Sequence, residues 1–175
     1  MFFSRVLIFL SVLFLASCDD LNPSSEDLRP DVVPGSDGVQ ADQKAIDFTL
    51  VDTLNNNFTL STEYPVTDAV VLYFTMWCPI CDSHMNYMRQ YVVQNYPNVQ
   101  FYFVDYVSGS MSASRQAQQS NGYTDFTVLV DTNHAIQELY GATMGTTIVI
   151  DTNGIVKMNE DFKDGSKLFD TLSVL

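Results

Sequence analysis

Ala69-Val70-Val71-Leu72-Tyr73-Phe74-Thr75-Met76-Trp77-Cys78-Pro79-Ile80-Cys81 decides how the chain is read. Residues 69–74 are nearly continuous apolar, β-branched or aromatic side chains, the pattern of a central strand covered on both faces. Directly after them, Ile80, Tyr87, Met88, Tyr91 and Val92 recur at helical spacing, and Pro97 follows the end of the pattern. Cys78 and Cys81 therefore sit where a strand hands over to a helix. Two thiols separated by two residues can close a small disulfide ring there, and the first sulfur lies near the unpaired N–H groups and positive end of the helix. The pair is a redox-site candidate.

Working outward, Ile46-Asp47-Phe48-Thr49-Leu50-Val51 and Phe58-Thr59-Leu60 alternate apolar with polar, and Asn55-Asn56-Asn57 between them tolerates positive φ. A hairpin is expected. After the cysteine helix, Val99–Val104 reads as a strand, 112–120 as a polar helix ending at Asn121-Gly122, and Thr127–Val130 as a short extended run. His134 to Tyr140 is helical with Gly141 as its stop. Thr146–Ile150 is a further strand, and Asp151-Thr152-Asn153-Gly154 turns it into Ile155–Met158. Residues 164–175 close the chain as a helix. Alternating strands and helices with a terminal hairpin argue an α/β fold built on a mixed central sheet flanked by helices.

Length and composition set outer limits. With 175 residues, 46% hydrophobic and 13% aromatic, one core is filled and a second is not needed. The net charge of −13 becomes −14 without Arg5, leaving seven basic against twenty-one acidic side chains. Phosphate binding needs the reverse balance, so nucleic acid is excluded as an expected partner.

Residues 1–17 read as a secretory signal, with Arg5 as the sole charge, an apolar run from Val6 to Leu15 broken only by Ser11, and small Ala16-Ser17 before Cys18. The run is shorter than the ~20 residues of a stable membrane span. Leu15-Ala16-Ser17-Cys18 resembles the bacterial lipoprotein box, which implies cleavage before Cys18 and lipid on it; an ordinary signal followed by a stray cysteine is the alternative. Asp19-Asp20 resembles the inner-membrane retention signal of enteric lipoproteins. Residues 18–44, with Asn22-Pro23-Ser24-Ser25, Arg29-Pro30 and Pro34-Gly35-Ser36-Asp37-Gly38, are expected to form a disordered tether a few nanometres long, and 45–175 the folded domain.

The order of elements around Trp77-Cys78-Pro79-Ile80-Cys81 resembles the thioredoxin-like superfamily, in particular its redoxin and periplasmic thiol-disulfide oxidoreductase branch, over roughly residues 45–175. Asp47-Phe48-Thr49-Leu50 looks like that branch's opening hairpin, and the stretch from Tyr140 through Thr146-Thr147-Ile148-Val149-Ile150 to Gly154 like its closing segment. The resemblance implies a thioredoxin-like fold with an added N-terminal hairpin. It further implies Cys78 as the attacking thiolate, Cys81 as the resolving thiol, Trp77 covering the pair and no cofactor beyond the Cys78–Cys81 disulfide. Implied partners are protein or small thiol and disulfide substrates, and a membrane redox partner for recycling, on the periplasmic face of a bacterial membrane.

Two positions depart from the pattern. The proline that the family holds in cis opposite the disulfide falls at Gly145, next to Thr146, where a trans peptide is the default. Leu72, six residues before Cys78, stands where thioredoxin has a buried Asp, so the proton carrier for the second thiol is unassigned.

The chemistry of the pair follows from thiolate nucleophilicity. Pro79 suits the first helical position, where its missing N–H costs nothing. A helix terminus favours an anion by about 0.3–1 kcal/mol and at most about 2, around one pKa unit. Asp82 in the same turn opposes this and Ile80 adds no positive charge, so a middling redox potential is expected. A purely structural disulfide is the bland alternative, but so short a loop adds little stability. Cys78, Cys81 and His84, with Met85 and Met88, form an alternative copper(I) set, against which His84 is simply a partly buried helix residue and the methionines core filler. Thr75-Met76-Trp77-Cys78 has the Thr-x-x-Cys spacing of peroxiredoxins, though Val71 stands where those enzymes place a proline. His134 is most simply a surface residue. A partner-binding domain with inert thiols is the non-enzymatic reading.

Overall fold

The computed structural model describes residues 31–175, and its compact unit spans Val32–Leu175. The expected signal at 1–17, the expected lipidation site Cys18 and most of the expected tether lie outside the described residues. Among those described, no helix is long and apolar enough to cross a membrane.

The unit opens with β1 (Asp37–Gly38) and β2 (Lys44–Ala45), followed by β3 (Thr49–Asp52), β4 (Asn57–Thr59), α1 (Leu60–Glu63) and β5 (Ala69–Thr75). After β5 come α2 (Pro79–Tyr87), β6 (Val99–Asp105), α3 (Met111–Ser120) and β7 (Thr127–Val130). The chain finishes with α4 (Ala135–Leu139), β8 (Thr146–Asp151), β9 (Val156–Asp161) and α5 (Ser166–Leu172). Seven strands form one sheet in the order β4-β3-β7-β6-β5-β8-β9. β5, β6 and β7 run parallel, whereas β3, β8 and β9 pair antiparallel with β7, β5 and β8. This is the mixed sheet that the sequence implies.

β5 is central because it has no polar face to present. Every residue from Ala69 to Thr75 is at most 1% exposed, as a strand hydrogen-bonded on both sides and covered on both faces requires. Its side chains alternate between two cores. Ala69, Val71 and Tyr73 meet Met85 and Met88 of the cysteine helix and Leu168 and Leu172 of α5. Val70, Leu72 and Phe74 meet Leu60 of α1, Ile136 of α4 and the Phe48–Phe58 pair on the other face. Met85 and Met88 are fully buried core residues. The α2 helix continues through a π-helical turn, Met88–Val92, and a 3₁₀ turn, Val93–Asn95, which carry the apolar stripe toward Pro97.

The expected hairpin is present, with Thr49 paired to Thr59 and Asn55 at φ +66° in its turn. The second hairpin turns at Gly154, φ +79°, against the ring of Tyr64. The N-terminal boundary differs from the expected one. Ordered structure begins ahead of Ala45: β1 and β2 pair in parallel, and the segment docks on the β8–β9 hairpin. Asp42 N–H donates to Val156 O, Val156 N–H to Gln43 O and Ala45 N–H to Gly154 O, while Asn159 Nδ2 donates to Val39 O. Backbone groups hold this stretch, so its Pro- and Gly-rich side chains carry no signal of order. Shortening the chain to begin at Ile46 rather than Val32 removes these four hydrogen bonds. At about 0.5–1.5 kcal/mol each, a loss of about 2–6 kcal/mol is expected in urea unfolding.

Candidate active site

Cys78 caps α2. Its backbone is extended (φ −89°, ψ 164°), Pro79 opens the helix, and the Cys78 sulfur accepts the Cys81 N–H at 3.2 Å. The two residues are free thiols with their sulfurs 2.7 Å apart. They differ in access, since Cys78 is partly exposed and Cys81 is 0% exposed behind it.

Their environments drive the two thiols apart. Partial burial by itself raises the Cys78 thiol, but hydrogen bonds from the Cys81 thiol and from the Cys81 and Ile80 backbone outweigh it, and its pKa falls below 9.0. Cys81 moves the other way, pushed up first by burial and then by its hydrogen bond to Cys78. The anion is thus favoured on the accessible sulfur. Asp82, expected to oppose it, turns its carboxylate to the Tyr123 hydroxyl (2.6 Å) and Asn86 Nδ2 (3.3 Å).

Trp77 adopts φ +57°, a left-handed conformation that costs a non-glycine residue about 1–2 kcal/mol. Two bonds hold it there. Its N–H donates to Thr75 Oγ1, and its indole Nε1 donates to Asp105 Oδ2 at 2.7 Å. Asp105, 1% exposed at the end of β6, also accepts from Ser108 Oγ and from the Val107 and Ser108 N–H groups. Its carboxylate thereby ties the indole to the loop after β6. Sequence reading ended this strand at Val104 and missed Asp105; an acid closing an apolar strand beside the Trp-Cys turn was the available signal.

Gly145 directly precedes Thr146, the first residue of β8, and lies beside His84 of the cysteine helix. Gly145 has φ +86°, and no cis peptide occurs among the described residues. Its N–H donates to Phe74 O at 3.0 Å, a bond that proline has no hydrogen to make, and its carbonyl accepts from Phe162 N–H. Thr146 Oγ1 accepts the Thr143 N–H and so braces this loop. A β-carbon placed on Gly145 would lie 3.6 Å from His84 Cε1 and Nδ1, which shows that the imidazole fills the neighbouring space.

His84 is partly buried, tilted by 33° against Phe162 with ring centroids 4.5 Å apart, and its Nδ1 lies 3.0 Å from the Tyr73 hydroxyl. The alternative metal set is not assembled. Among the described residues no three His, Cys, Asp or Glu side chains converge to hold a metal ion, so Cys78, Cys81 and His84 do not form one. Thr75 is fully buried and its Oγ1 braces Trp77. His134, a residue expected at the surface, is exposed at φ +60° ahead of α4. Leu72 lies in the core on the opposite face of the sheet from Cys81.

Comparison with known proteins agrees with this geometry. The redoxin family model matches residues 40–170. A candidate protein disulfide isomerase from Bacteroides thetaiotaomicron is 20% identical with a TM-score of 0.66, covering 78% of this chain and 87% of its own. A candidate thiol:disulfide interchange protein DsbE from Chlorobium tepidum is 23% identical with a TM-score of 0.66, covering 78% and 98%. A secreted disulfide oxidoreductase from Mycobacterium tuberculosis is 20% identical with a TM-score of 0.57, covering 73% and 96%. At these identities the likeness is one of fold. Among curated proteins no relative matches the chain in sequence.

Two outcomes are expected from this site. Iodoacetamide at neutral pH labels Cys78 of the reduced protein well before Cys81, with a rate that inflects below pH 9.0, as mass spectrometry of the alkylated peptide reports. Gly145→Pro does not restore a family-like loop. Its fixed φ near −65° conflicts with φ +86° and the bond to Phe74 O is lost, so chemical unfolding shows a destabilisation of about 3 kcal/mol or more.

Proposed function

The chain belongs to the redoxin family, and on that premise we propose that it is an extracytoplasmic thiol-disulfide oxidoreductase that reduces or isomerises protein disulfides through Cys78 and Cys81. The observation that carries this reading is the asymmetry of the pair. Cys78 is accessible, caps a helix and has its thiol lowered, whereas Cys81 is sealed behind it, 2.7 Å away, with its thiol raised. The Cys78 thiolate attacks a substrate disulfide and one substrate sulfur leaves as a thiolate. Cys81 then attacks Cys78, the mixed disulfide breaks, and the second substrate sulfur leaves. Two electrons pass to the substrate, and Cys78–Cys81 becomes the disulfide. No bound cofactor takes part.

A protein substrate fits the surroundings of Cys78. Met76 and Ile80 on either side of it are 44% and 55% exposed, and Val107 on the loop tied to Trp77 is 41% exposed. These apolar side chains offer a polypeptide contact beyond the reacting sulfur. The names of the structural neighbours, an isomerase, an interchange protein and an oxidoreductase, lie in the same reaction class.

The lipoprotein-like Leu15-Ala16-Ser17-Cys18 supports a lipid anchor at the periplasmic face of a bacterial membrane, and Asp19-Asp20 favours the inner membrane. A reductase so placed is recycled by a membrane redox partner. The thiols face no cationic side chain among the causes that shift them, which favours a middling potential.

Cys78→Ala is expected to abolish reduction of a protein disulfide such as that of insulin, and Cys81→Ala to trap a mixed disulfide on Cys78. Equilibration with glutathione is expected to give a potential of about −180 to −270 mV. A value near −120 mV, that of a strong oxidant, would contradict the reductase or isomerase direction.

A further inference from the structure

Resolution requires Cys81 to give up a proton, yet its sulfur is 0% exposed and its pKa is raised by burial. Water cannot reach it freely. On the face of the sheet behind Cys81, Thr75 is taken up by Trp77 and Tyr123 by Asp82, which leaves the Tyr73 hydroxyl. Tyr73 is itself 0% exposed and projects from β5 into the same core cluster as Cys81, whose thiol acts on its hydroxyl. On its other side the hydroxyl meets His84 Nδ1 at 3.0 Å. Cys81 and His84 are three residues apart on α2 and share a helix face, so one phenol can touch both. His84 is partly exposed and sits in the space left by Gly145.

We propose that Tyr73 and His84 form a proton relay that carries the Cys81 proton to solvent during resolution of the mixed disulfide. The inference rests on the oxidoreductase reading above. As the Cys81 sulfur bonds to the Cys78 sulfur and the substrate thiolate leaves, the Cys81 proton passes to the Tyr73 oxygen. The Tyr73 proton passes to His84 Nδ1, and the imidazolium releases a proton to water. When the enzyme disulfide is reduced again, the same path returns a proton to the departing Cys81 sulfur. Charge and atoms balance, with the electron pair moving between sulfurs and the proton through oxygen and nitrogen.

The other acids near the pair are engaged elsewhere. Asp105 accepts four hydrogen bonds from Trp77, Ser108 and Val107, and Asp82 is held by Tyr123 and Asn86. The titratable groups that face the relay are Cys78 and Cys81 from α2 and Tyr123 from the loop before β7, while the Lys163 carbonyl faces His84. Burial lowers the imidazole below 6.5 and the Lys163 carbonyl only partly offsets this, so His84 is neutral at pH 7 and able to accept.

The test uses the reduced protein and excess 5,5′-dithiobis(2-nitrobenzoate) in stopped flow. The first nitrothiobenzoate released reports attack by Cys78, and the second reports resolution by Cys81. In the wild type the second phase rises with pH to a plateau, with the midpoint of the rise below pH 6.5, as His84 becomes neutral. In Tyr73→Phe and His84→Asn the second phase is at least about tenfold slower at pH 7, as for loss of a general base. It then climbs about tenfold per pH unit toward the Cys81 thiol pKa, because free thiolate must form first. The first phase changes less than twofold. Asn keeps an acceptor for the Tyr73 hydroxyl but cannot take its proton, so a structural role would be rescued by His84→Asn and a relay would not. Second-phase rates and plateau equal to wild type in His84→Asn would overturn the relay. Absence of both phases in Cys78→Ala is the separate check on the parent reading; phases that survive it would overturn that reading instead.

Discussion

β5 is hydrogen-bonded along its length to β6 on one side and β8 on the other, and neither of its faces meets water. That double constraint fixes the site. Thr75 pairs with Asp105 at the carboxyl end of β6, and Tyr73 with Thr147 near the start of β8, so three separate segments end at one edge of the sheet. A slip of one residue would turn Tyr73 away from Cys81 and put Leu72 or Phe74 in its place. The register holds because such a slip would mismatch the packing of both cores at once, at a cost of about 1–3 kcal/mol for each overpacked site.

The electrostatics of the dithiol follow from this placement. A helix terminus and a few N–H donors supply a modest preference for an anion, and they act on Cys78 because its sulfur is the N-cap. Cys81, one turn further along, lies inside the helix–sheet core and loses solvation instead. Separation of the two thiol pKa values is thus a consequence of depth, one sulfur at the rim and one beneath it. Depth also creates the need for a proton path. In this chain the strand below places Tyr73 in the core of the buried sulfur, and the next turn of the cysteine helix brings His84 to the Tyr73 hydroxyl.

Gly145 shows how the opposing loop is built without proline. A glycine at φ +86° donates to Phe74 O and accepts from Phe162, which pins the loop to the end of β5 and to the segment after β9. A β-carbon at this position would be in van der Waals contact with His84, whose ring lies tilted against Phe162. Loop and histidine are therefore one arrangement, and the absence of proline at 145 and the presence of histidine at 84 belong together. Trp77 shows the complementary case, in which a strained φ is held by two hydrogen bonds that converge from the same strand ends.

Local pattern by itself determined the central strand, the cysteine helix, both hairpins and the α/β class, because burial on two faces, helical spacing and Asn- or Gly-bearing turns each leave a mark in consecutive residues. It also singled out Cys78, Cys81 and Pro79, while Trp77 and Gly145 were marked by the resemblance to the thioredoxin-like superfamily. Three things had no such mark. The order of residues 36–45 comes from backbone bonds to β9 and the turn before it, more than a hundred residues away, and backbone groups are the same in every sequence. Asp105 and Tyr73 look like the end of one apolar run and the middle of another until strand register sets them beside Trp77 and Cys81. His84 read either as a copper ligand or as a core residue. The direction of its ring was decided by the room Gly145 leaves and by the Tyr73 hydroxyl, neighbours that only the folded chain brings within 4 Å.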